Sequence, residues 1–358
     1  MRHFDSLHGL KSVAILLVVF SHLPNEIPFL GQFGIGANGV SIFILLSGFL
    51  VTHKHITSFT SDTNPFKWSV SYLKKKINKF YFLHFLTFLA ASVFVIQELF
   101  LSFSFKYLIN SFVTAVLNLL LLQSFVPVRS VYFSFNPTSW YLSAVMFFYF
   151  ATPFILLLIL KFRSIMGKIL MCCGIFIFQI ACTLALSESQ YAYAILYVNP
   201  LFRVLEFALG CFLGILFLEM QKKLTGAGYK KSISFKYSLM EICAFILFVL
   251  AILAWPYIPE AFRYCVFYIP FTAFLIYSFA FNKGILSFLF TNPVMLFAGH
   301  ISLEIFLIHF IVIKYLHTTN RILGEIPDWV FIILVLVITF SLSYLVHLSK
   351  DLFKRKII

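Results

Sequence analysis

Two ionisable residues near the start of the chain could do chemistry together. Lys11 stands at the beginning of the first long apolar run, and His22 lies inside it, eleven residues later. On a helix this separation returns to within roughly 20° of the same face, about 16 Å further along the axis. An imidazole is the side chain best suited to move a proton near neutral pH. The pair therefore predicts that His22 transfers a proton, and that the cation of Lys11 lies at the start of the same helix face.

Each of the two residues also has a plainer interpretation. Lys11 is typical of a lysine that extends its charge to the membrane surface from the cytoplasmic end of a span. His22 could simply share a hydrogen bond with a neighbouring carbonyl. An ionisable residue inside a span is nevertheless costly, and it marks a functional site by default.

The composition defines the class of protein in which these residues must work. Of 358 residues, 61% are hydrophobic and only 11% are charged, whereas soluble domains are nearer about 25% charged. This indicates an all-α, polytopic membrane protein. The excess of 27 basic over 13 acidic residues does not indicate nucleic-acid binding, because the lysines lie in short loops as the positive-inside rule requires. The cysteines show no metal-like or disulfide-like spacing, and no metal site is predicted.

Apolar runs long enough to cross about 30 Å of hydrocarbon predict ten spans. They fall at roughly 10–28, 37–53, 79–101, 139–160, 168–187, 201–219, 238–255, 263–281, 294–314 and 329–348. With ten spans both termini are cytoplasmic. We expect a single membrane domain over residues 1–358, with no attached extracytoplasmic domain, since no loop reaches about 50 residues.

A further apolar run at 108–126 does not fit this count. The lysine-rich loops at 54–79 and 161–168 are both predicted to be cytoplasmic. One span leaves the first loop and one enters the second, so whatever lies between them must start and end outside. We therefore predict that 108–126 is re-entrant or lies against the outer side of the bundle, which is allowed where protein or a cavity covers the segment. Six cations fall outside or near outer ends: Lys106, Arg129, Arg203, Arg263, Lys314 and Arg321.

The opening of the chain resembles a known family. The segments KSVAILLVVFSH and GVSIFILLSGFL are similar to the start of the acyltransferase-3 family of integral membrane O-acyltransferases. That family has a basic residue, ten residues, a His, and then a Gly-Val-x-x-Phe-x-x-x-Ser-Gly-Phe span, which Ser47 and Gly48 match with a structural role. Lys11 stands where arginine is usual, so a point charge replaces a bidentate group. His22 takes the position of the family's histidine.

The resemblance continues into the third span. KKKINKFYFLHF is similar to the family's basic Arg-x-x-Arg stretch, with Lys76 and Lys79 at those positions. The resemblance implies that these lysines contact the phosphates of a cytoplasmic acyl-CoA, as a cationic rim would. Ordinary positive-inside anchoring is the alternative.

Two further segments carry the resemblance into the middle of the chain. NPTSWYLSAVMFFYFATP looks like the family's Trp-x-Leu-Ser motif and implies acceptor binding by Trp140 and Asn136, although an interfacial anchor explains the tryptophan equally well. Many members have Glu where this chain has Val145, so no carboxylate is carried over there. NPLFRVLEFALGCFLG resembles the Arg-x-x-Glu-Phe-x-x-Gly span and implies a structural pair, Arg203 with Glu206.

Glycines in that same span predict close packing. Gly210 and Gly214 are four residues apart, which is the small-xxx-small spacing that lets two membrane helices approach closely.

The last motif lies near the C-terminus. NPVMLFAGHISLEIFLIHF resembles the family's Gly-x-Ile-Ser-x-x-x-Tyr-Leu-x-His span. Ser302 and His309 are seven apart and share a helix face, whereas Glu304 shares a stripe with His300. A buried Glu in a span is expensive unless it is partnered or protonated. The resemblance implies that His309 and Glu304 orient groups or relay protons, and that Ser302 contributes to acceptor binding.

Taken together, the resemblance implies an O-acyltransferase of the bacterial inner membrane. The expected donor is cytoplasmic acetyl-CoA, used as a substrate with no permanently bound cofactor, and the expected acceptor is a hydroxyl of a surface glycan such as O-antigen, capsule or exopolysaccharide, either free or lipid-linked. His22 would be the general base, or would carry the acyl group transiently, while Lys11, Lys76 and Lys79 hold the CoA phosphates. A separate extracytoplasmic transferase protein could complete the transfer.

Two other classes of function fit parts of the same pattern. A transporter or flippase of lipid-linked sugars would also have ten spans, buried charges and a basic cytoplasmic face, but it would not depend on acyl-CoA. A glycan polymerase normally needs a larger outer loop rich in Arg or carboxylates. The longest predicted outer stretch, near 102–138, contains only Lys106 and Arg129 as basic residues, which makes this the weaker alternative.

Overall fold

The fold is built from helices and the turns that join them. The computed structural model describes residues 4–23, 26–31, 33–60, 63–225, 233–324 and 326–357, and no strand occurs among them. Helix is what apolar runs must form in lipid, since only bonds within the segment satisfy the backbone there. The longer helices are α1 (Asp5–Ser21), α2 (Ile35–His55), α3 (Pro65–Leu101), α4 (Phe105–Leu119), α5 (Trp140–Lys161), α6 (Ile165–Leu186), α7 (Pro200–Thr225), α8 (Phe235–Leu253), α9 (Ile269–Ala280), α10 (Pro293–His300), α11 (Ser302–Leu323) and α12 (Asp328–Ile357).

Eight of the described helices are long and apolar enough to cross a membrane, namely α2, α3, α5, α6, α7, α8, α11 and α12. Helix α1 has 17 residues and falls just below that length, and the apolar stretch Val266–Ala280, which contains α9, is also shorter. These two positions and the eight long helices overlap the ten apolar runs predicted from the sequence, and eight of the ten are long enough to cross a membrane. The all-α, polytopic fold class is therefore confirmed.

Four Asn-Pro pairs mark where helices begin. Proline is preorganised for the first helical position, and the preceding asparagine can accept a bond from an orphan amide of the first turn. Asn64 accepts from the Lys67 amide at 3.0 Å at the start of α3. Asn292 likewise accepts from the Met295 amide at 3.0 Å at the start of α10. The other two pairs, at 136–137 and 199–200, precede α5 and α7.

Helix α2 forms the centre of the bundle. Of its most apolar window, 78% is buried inside the protein, against 11% for α6. Small residues bring α2 and α7 together: a Cβ at Gly48 would overlap the Phe207 carbonyl, and a Cβ at Gly210 would overlap the Leu45 carbonyl. Gly214 also faces α2. The close-packing seam predicted on α7 is confirmed.

Helix α1 packs against α2, α10 and α11, and also against α9 and the short helix Ile285–Phe290. At one end Gly299 of α10 lies so close to the His8 carbonyl that any side chain there would overlap it. Further along, a Cβ at Gly39 of α2 would also overlap the Ala14 carbonyl. Because α1 is fixed at both levels, the positions of Lys11 and His22 are set by the packing of the bundle.

The predicted run at 294–314 is not one continuous helix. Helix α10 ends at His300, Ile301 departs from helical geometry, and α11 begins at Ser302. The hydroxyl of Ser302 donates to the Gly299 carbonyl at 3.0 Å across the junction. The stripe expected to join His300 with Glu304 is therefore interrupted, since the two residues belong to different helices, whereas Ser302 and His309 do share α11.

The segment near 108–126, predicted to be re-entrant or to lie against the outer side of the bundle, contains the end of α4 and a turn, and α4 packs against α3. Helix α4 runs back along α3 until the Leu119 carbonyl accepts a bond from the Tyr81 hydroxyl at 2.9 Å. The Asn118 carbonyl lies 3.0 Å from Nε2 of His84. Tyr81 is twenty residues before the end of α3, which corresponds to about 30 Å of helix. The chain then turns at Leu121, which has a positive φ of 56°.

Candidate active site

Lys11 and His22 line two different cavities. Lys11 lines one of about 230 Å³, called here the Lys11 cavity. His22 lines a second of about 600 Å³, called here the His22 cavity. Their spacing predicts a shared helix face. In the structure the two residues line separate chambers, one above the other along α1. Phe306 lines both chambers.

His22 is paired with His309, a contact that joins α1 to α11. Nδ1 of His22 lies 2.8 Å from the Val18 carbonyl oxygen and 3.3 Å from Nε2 of His309. Nδ1 of His309 lies 3.0 Å from the Ile305 carbonyl oxygen. The rings are 5.0 Å apart and meet edge to face. His309 is fully buried, so its ring is fixed in one orientation.

These contacts assign the tautomers of both rings. A carbonyl oxygen can only accept, so Nδ1 carries the proton in His22 and in His309. Nε2 of His309 is then an acceptor facing the Nδ1–H of His22. Nε2 of neutral His22 keeps its lone pair, which is the state that a general base needs. The carbonyl bond expected under the plainer interpretation of His22 is present, and it orients the ring rather than occupying its basic nitrogen.

The Lys11 cavity is cationic. Lys79 lines it beside Lys11, together with the histidines His8 and His300, whose rings are 4.5 Å apart. Lys76 does not line the cavity, but its Nζ lies 4.6 Å from the ring centre of Tyr149, which does. All three lysines predicted to hold phosphates are therefore gathered at one end of the bundle.

The His22 cavity is aromatic, with charged groups among its lining residues. Tyr264 donates to the Glu260 carboxylate at 2.7 Å, and the Arg263 guanidinium lies 5.3 Å from the ring centre of Trp255. Burial raises the pKa of Tyr193, so its hydroxyl remains a neutral donor. The aromatic residues that line the cavity are Phe133, Trp140, Tyr193, Tyr197, Trp255, Tyr264, Phe306 and Phe310.

A third cavity of about 960 Å³ adjoins the His22 cavity, because Pro137 and Phe310 line both. It is lined by Lys314 and Arg321 and is called here the Lys314 cavity. Arg129 and Arg263 line the His22 cavity. Four of the six cations predicted from the sequence to lie on the outer side therefore surround these two adjoining cavities.

The three residues predicted to bind the acceptor are separated by the structure. Trp140 lines the His22 cavity. Ser302 instead lines the Lys11 cavity, because it begins α11 at the opposite end from the His22 cavity. Asn136 is fully buried, and its amide donates to the Leu307 carbonyl at 2.9 Å. Its side chain thus fastens the loop before α5 to α11, and among the described cavities it lines none.

Of the remaining predicted residues, Arg203, Glu206 and Glu304 lie behind the cavity walls. Arg203 and Glu206 form a fully buried ion pair at 3.0 Å. The guanidinium also donates to the Tyr264 carbonyl at 3.3 Å and lies 5.5 Å from the ring centre of Tyr197, so the pair supports two residues of the His22 cavity. Ser47 lines the Lys11 cavity. Glu304 is buried and lines none of the cavities formed by the described residues.

Reasoning from the sequence missed several residues of the site. Phe306, Tyr193 and Trp255 are ordinary aromatic residues in apolar or interfacial segments, and nothing in their local pattern distinguishes them. Arg263 could have been singled out, since a cation on the outer side runs against the positive-inside bias. That signal also marks Arg129, at the rim of the same cavity.

The profile of the acyltransferase-3 family, described as an acyltransferase domain, matches residues 4–348, nearly the whole chain. No curated protein and no solved structure matches the chain.

Proposed function

The chain belongs to the acyltransferase-3 family of integral membrane acyltransferases, and we propose that it transfers an acetyl group from cytoplasmic acetyl-CoA to a hydroxyl of a surface glycan. The setting is the bacterial inner membrane. One observation carries the proposal: His22, with a free basic nitrogen, lines an aromatic cavity that shares a lining residue, Phe306, with a cationic cavity. A donor and an acceptor that arrive from opposite sides need such a meeting point.

The Lys11 cavity suits the donor. At about 230 Å³ it is smaller than the roughly 300–1,000 Å³ typical of pockets for drug-sized ligands. It therefore has room for the acyl thioester end of the donor rather than for a whole nucleotide. Lys11 and Lys79 line it, and Lys76 lies behind Tyr149, so phosphates at its mouth would meet several point charges.

The His22 cavity and the Lys314 cavity suit the acceptor. Aromatic faces supply apolar contact area for the face of a sugar ring, and the hydroxyls of Tyr193 and Tyr197 can bond to its polar edge. Arg129 and Arg263 add charged donors. The combined cavities are large enough for more than a single small molecule, in keeping with an acceptor that is part of a glycan.

The chemistry follows from the tautomers. Nε2 of His22 takes the proton of the acceptor hydroxyl while the hydroxyl oxygen attacks the thioester carbonyl carbon. The carbon–sulfur bond breaks, and the proton passes to the CoA sulfur, so that an ester and a free thiol result. As His22 becomes an imidazolium, its Nδ1–H is shared by the Val18 carbonyl and His309, which stabilises the developing charge.

His309 acts through His22 as a positioning residue. Its own Nδ1–H is held by the Ile305 carbonyl, so its Nε2 always presents a lone pair to His22. This resembles the way a carboxylate orients the histidine of a catalytic triad, with a neutral acceptor in place of the charged one.

Transfer of label tests the proposal. The acceptor is the surface polysaccharide extracted from a strain that lacks the gene, and the donor is radiolabelled acetyl-CoA. Membranes that contain the chain should place alkali-labile label in the polysaccharide, whereas matched membranes without it should not. A transporter or flippase of lipid-linked sugars would leave the polysaccharide unlabelled in both, and that outcome would overturn the proposal.

A further inference from the structure

Phe306 is the wall between the Lys11 cavity and the His22 cavity. Among the described residues that line these two cavities, it is the one residue common to both. Its side chain is buried, with 3% exposed. The chambers assigned to donor and acceptor thus meet at this side chain.

The ring is held by its neighbours. Its centre lies 5.0 Å from that of Tyr141 and 6.3 Å from that of Phe43, and both of these residues line the Lys11 cavity. On its other side the centre lies 6.1 Å from that of His309. Phe306 therefore fills the space between the donor chamber and the histidine pair.

The position of Phe306 along α11 also places it between the donor chamber and the histidine pair. Ser302, Phe306 and His309 are spaced by four and three residues, so they lie along one stripe of the helix. Ser302 lines the donor chamber and His309 contacts His22. An acyl group moving along this stripe from one chamber to the other must pass the plane that the ring occupies.

We propose that Phe306 is a specificity-determining residue that admits a short acyl group to His22 and keeps water of the acceptor chamber away from the thioester. This rests on the proposed function. The ring must turn to another staggered rotamer for the acyl carbonyl carbon to meet the acceptor oxygen near Nε2 of His22. When the ring is in place, His22 can activate water but no thioester is within its reach.

Removal of the Phe306 ring should uncouple cleavage of the thioester from acyl transfer to the acceptor. In Phe306→Ala the chambers merge, so water activated by His22 can attack the thioester: the carbon–sulfur bond breaks, acetate forms, and the proton reaches the CoA sulfur. Purified full-length protein in lipid nanodiscs receives acetyl-CoA without acceptor, and free thiol is measured. We expect release at least about tenfold above wild type, a fraction of the 10²–10⁴-fold help that a general base gives. Butyryl-CoA should also become a donor.

Three variants make the result specific. Phe248→Ala removes a buried ring of equal size on α8 that lines none of the cavities formed by the described residues, and it should not raise release of thiol without acceptor. Phe306→Leu keeps most of the packing volume and should fall between wild type and Phe306→Ala. Adding His22→Ala to Phe306→Ala should abolish the extra release.

The proposal is overturned if Phe306→Ala or Phe306→Leu releases thiol at the wild-type rate and keeps the wild-type preference for acetyl over butyryl. It is also overturned if the extra release persists when His22 is removed. If wild type fails to transfer acetyl to the extracted polysaccharide, the proposed function fails instead. The two failures are therefore distinguishable.

Discussion

Replacement of His309 by leucine tests whether His309 positions His22 or is itself the general base. The substitution removes the acceptor that lies 3.3 Å from Nδ1 of His22 and leaves the Val18 carbonyl at 2.8 Å in place. A hydrogen bond to a charged group contributes about 1.5–3 kcal/mol. Because 3.3 Å is long for such a bond, we expect the lower part of that range. At about 1.4 kcal/mol for each tenfold change in rate, kcat should fall about ten- to thirtyfold.

The assay is the initial rate of acetyl transfer to extracted polysaccharide, with kcat and both KM values measured separately. The loss should be in kcat, since His309 lines neither the Lys11 cavity nor the His22 cavity. His309→Gln, whose amide oxygen can accept the same bond, should recover part of the rate. His84→Leu is the matched control, because His84 is also fully buried with one bond to a carbonyl.

Two results would refute this reasoning. If His309→Leu is folded and keeps the wild-type kcat, the contact between the two rings has no part in the reaction. If it loses as much activity as His22→Ala, His309 is itself the base, and the assigned roles are reversed.

Three further predictions concern the donor, the acceptor and the bundle. Lys11→Arg should keep activity because the charge is kept, whereas Lys11→Ala should raise the KM for acetyl-CoA about tenfold, as loss of one charge-assisted bond implies; saturation curves in acetyl-CoA check this. Arg129→Gln should raise the KM for polysaccharide, more at low salt than at high salt, and leave the KM for acetyl-CoA unchanged. Gly210→Ala should lower the thermal midpoint by overpacking against the Leu45 carbonyl, at a cost of about 1–3 kcal/mol, whereas Gly174→Ala, which meets open space, should not.

The sequence alone was enough to predict what depends on local pattern. Hydrophobic length locates the spans, and the glycines of α7 predict close packing with another helix, which the structure identifies as α2. The eleven-residue spacing placed Lys11 and His22 at two levels along α1, although the helix ends at Ser21 and His22 directly follows it rather than lying inside a span that continues to residue 28. These features follow from backbone geometry and from the absence of water in the bilayer, so they can be predicted from a single sequence.

The site required the structure because its walls come from distant segments. The contact between His22 and His309 joins residues 287 positions apart, and no periodicity relates them. Ser302 was expected on the acceptor side, but it lines the Lys11 cavity because α10 ends and α11 begins beside it. Phe306 is distinguished among the described phenylalanines by lining both the Lys11 cavity and the His22 cavity, which is a property of the packing.

The central claim is that His22 lies where acetyl-CoA and a glycan hydroxyl meet, and labelled transfer by His22→Ala tests it most directly. The variant is first shown to be inserted in the membrane with the wild-type thermal midpoint. Radiolabelled acetyl-CoA and extracted polysaccharide are then added, and incorporation is compared with wild type. The account predicts a fall of about 10²–10⁴-fold, the usual contribution of a general base. Incorporation close to the wild-type level in that folded variant would contradict it.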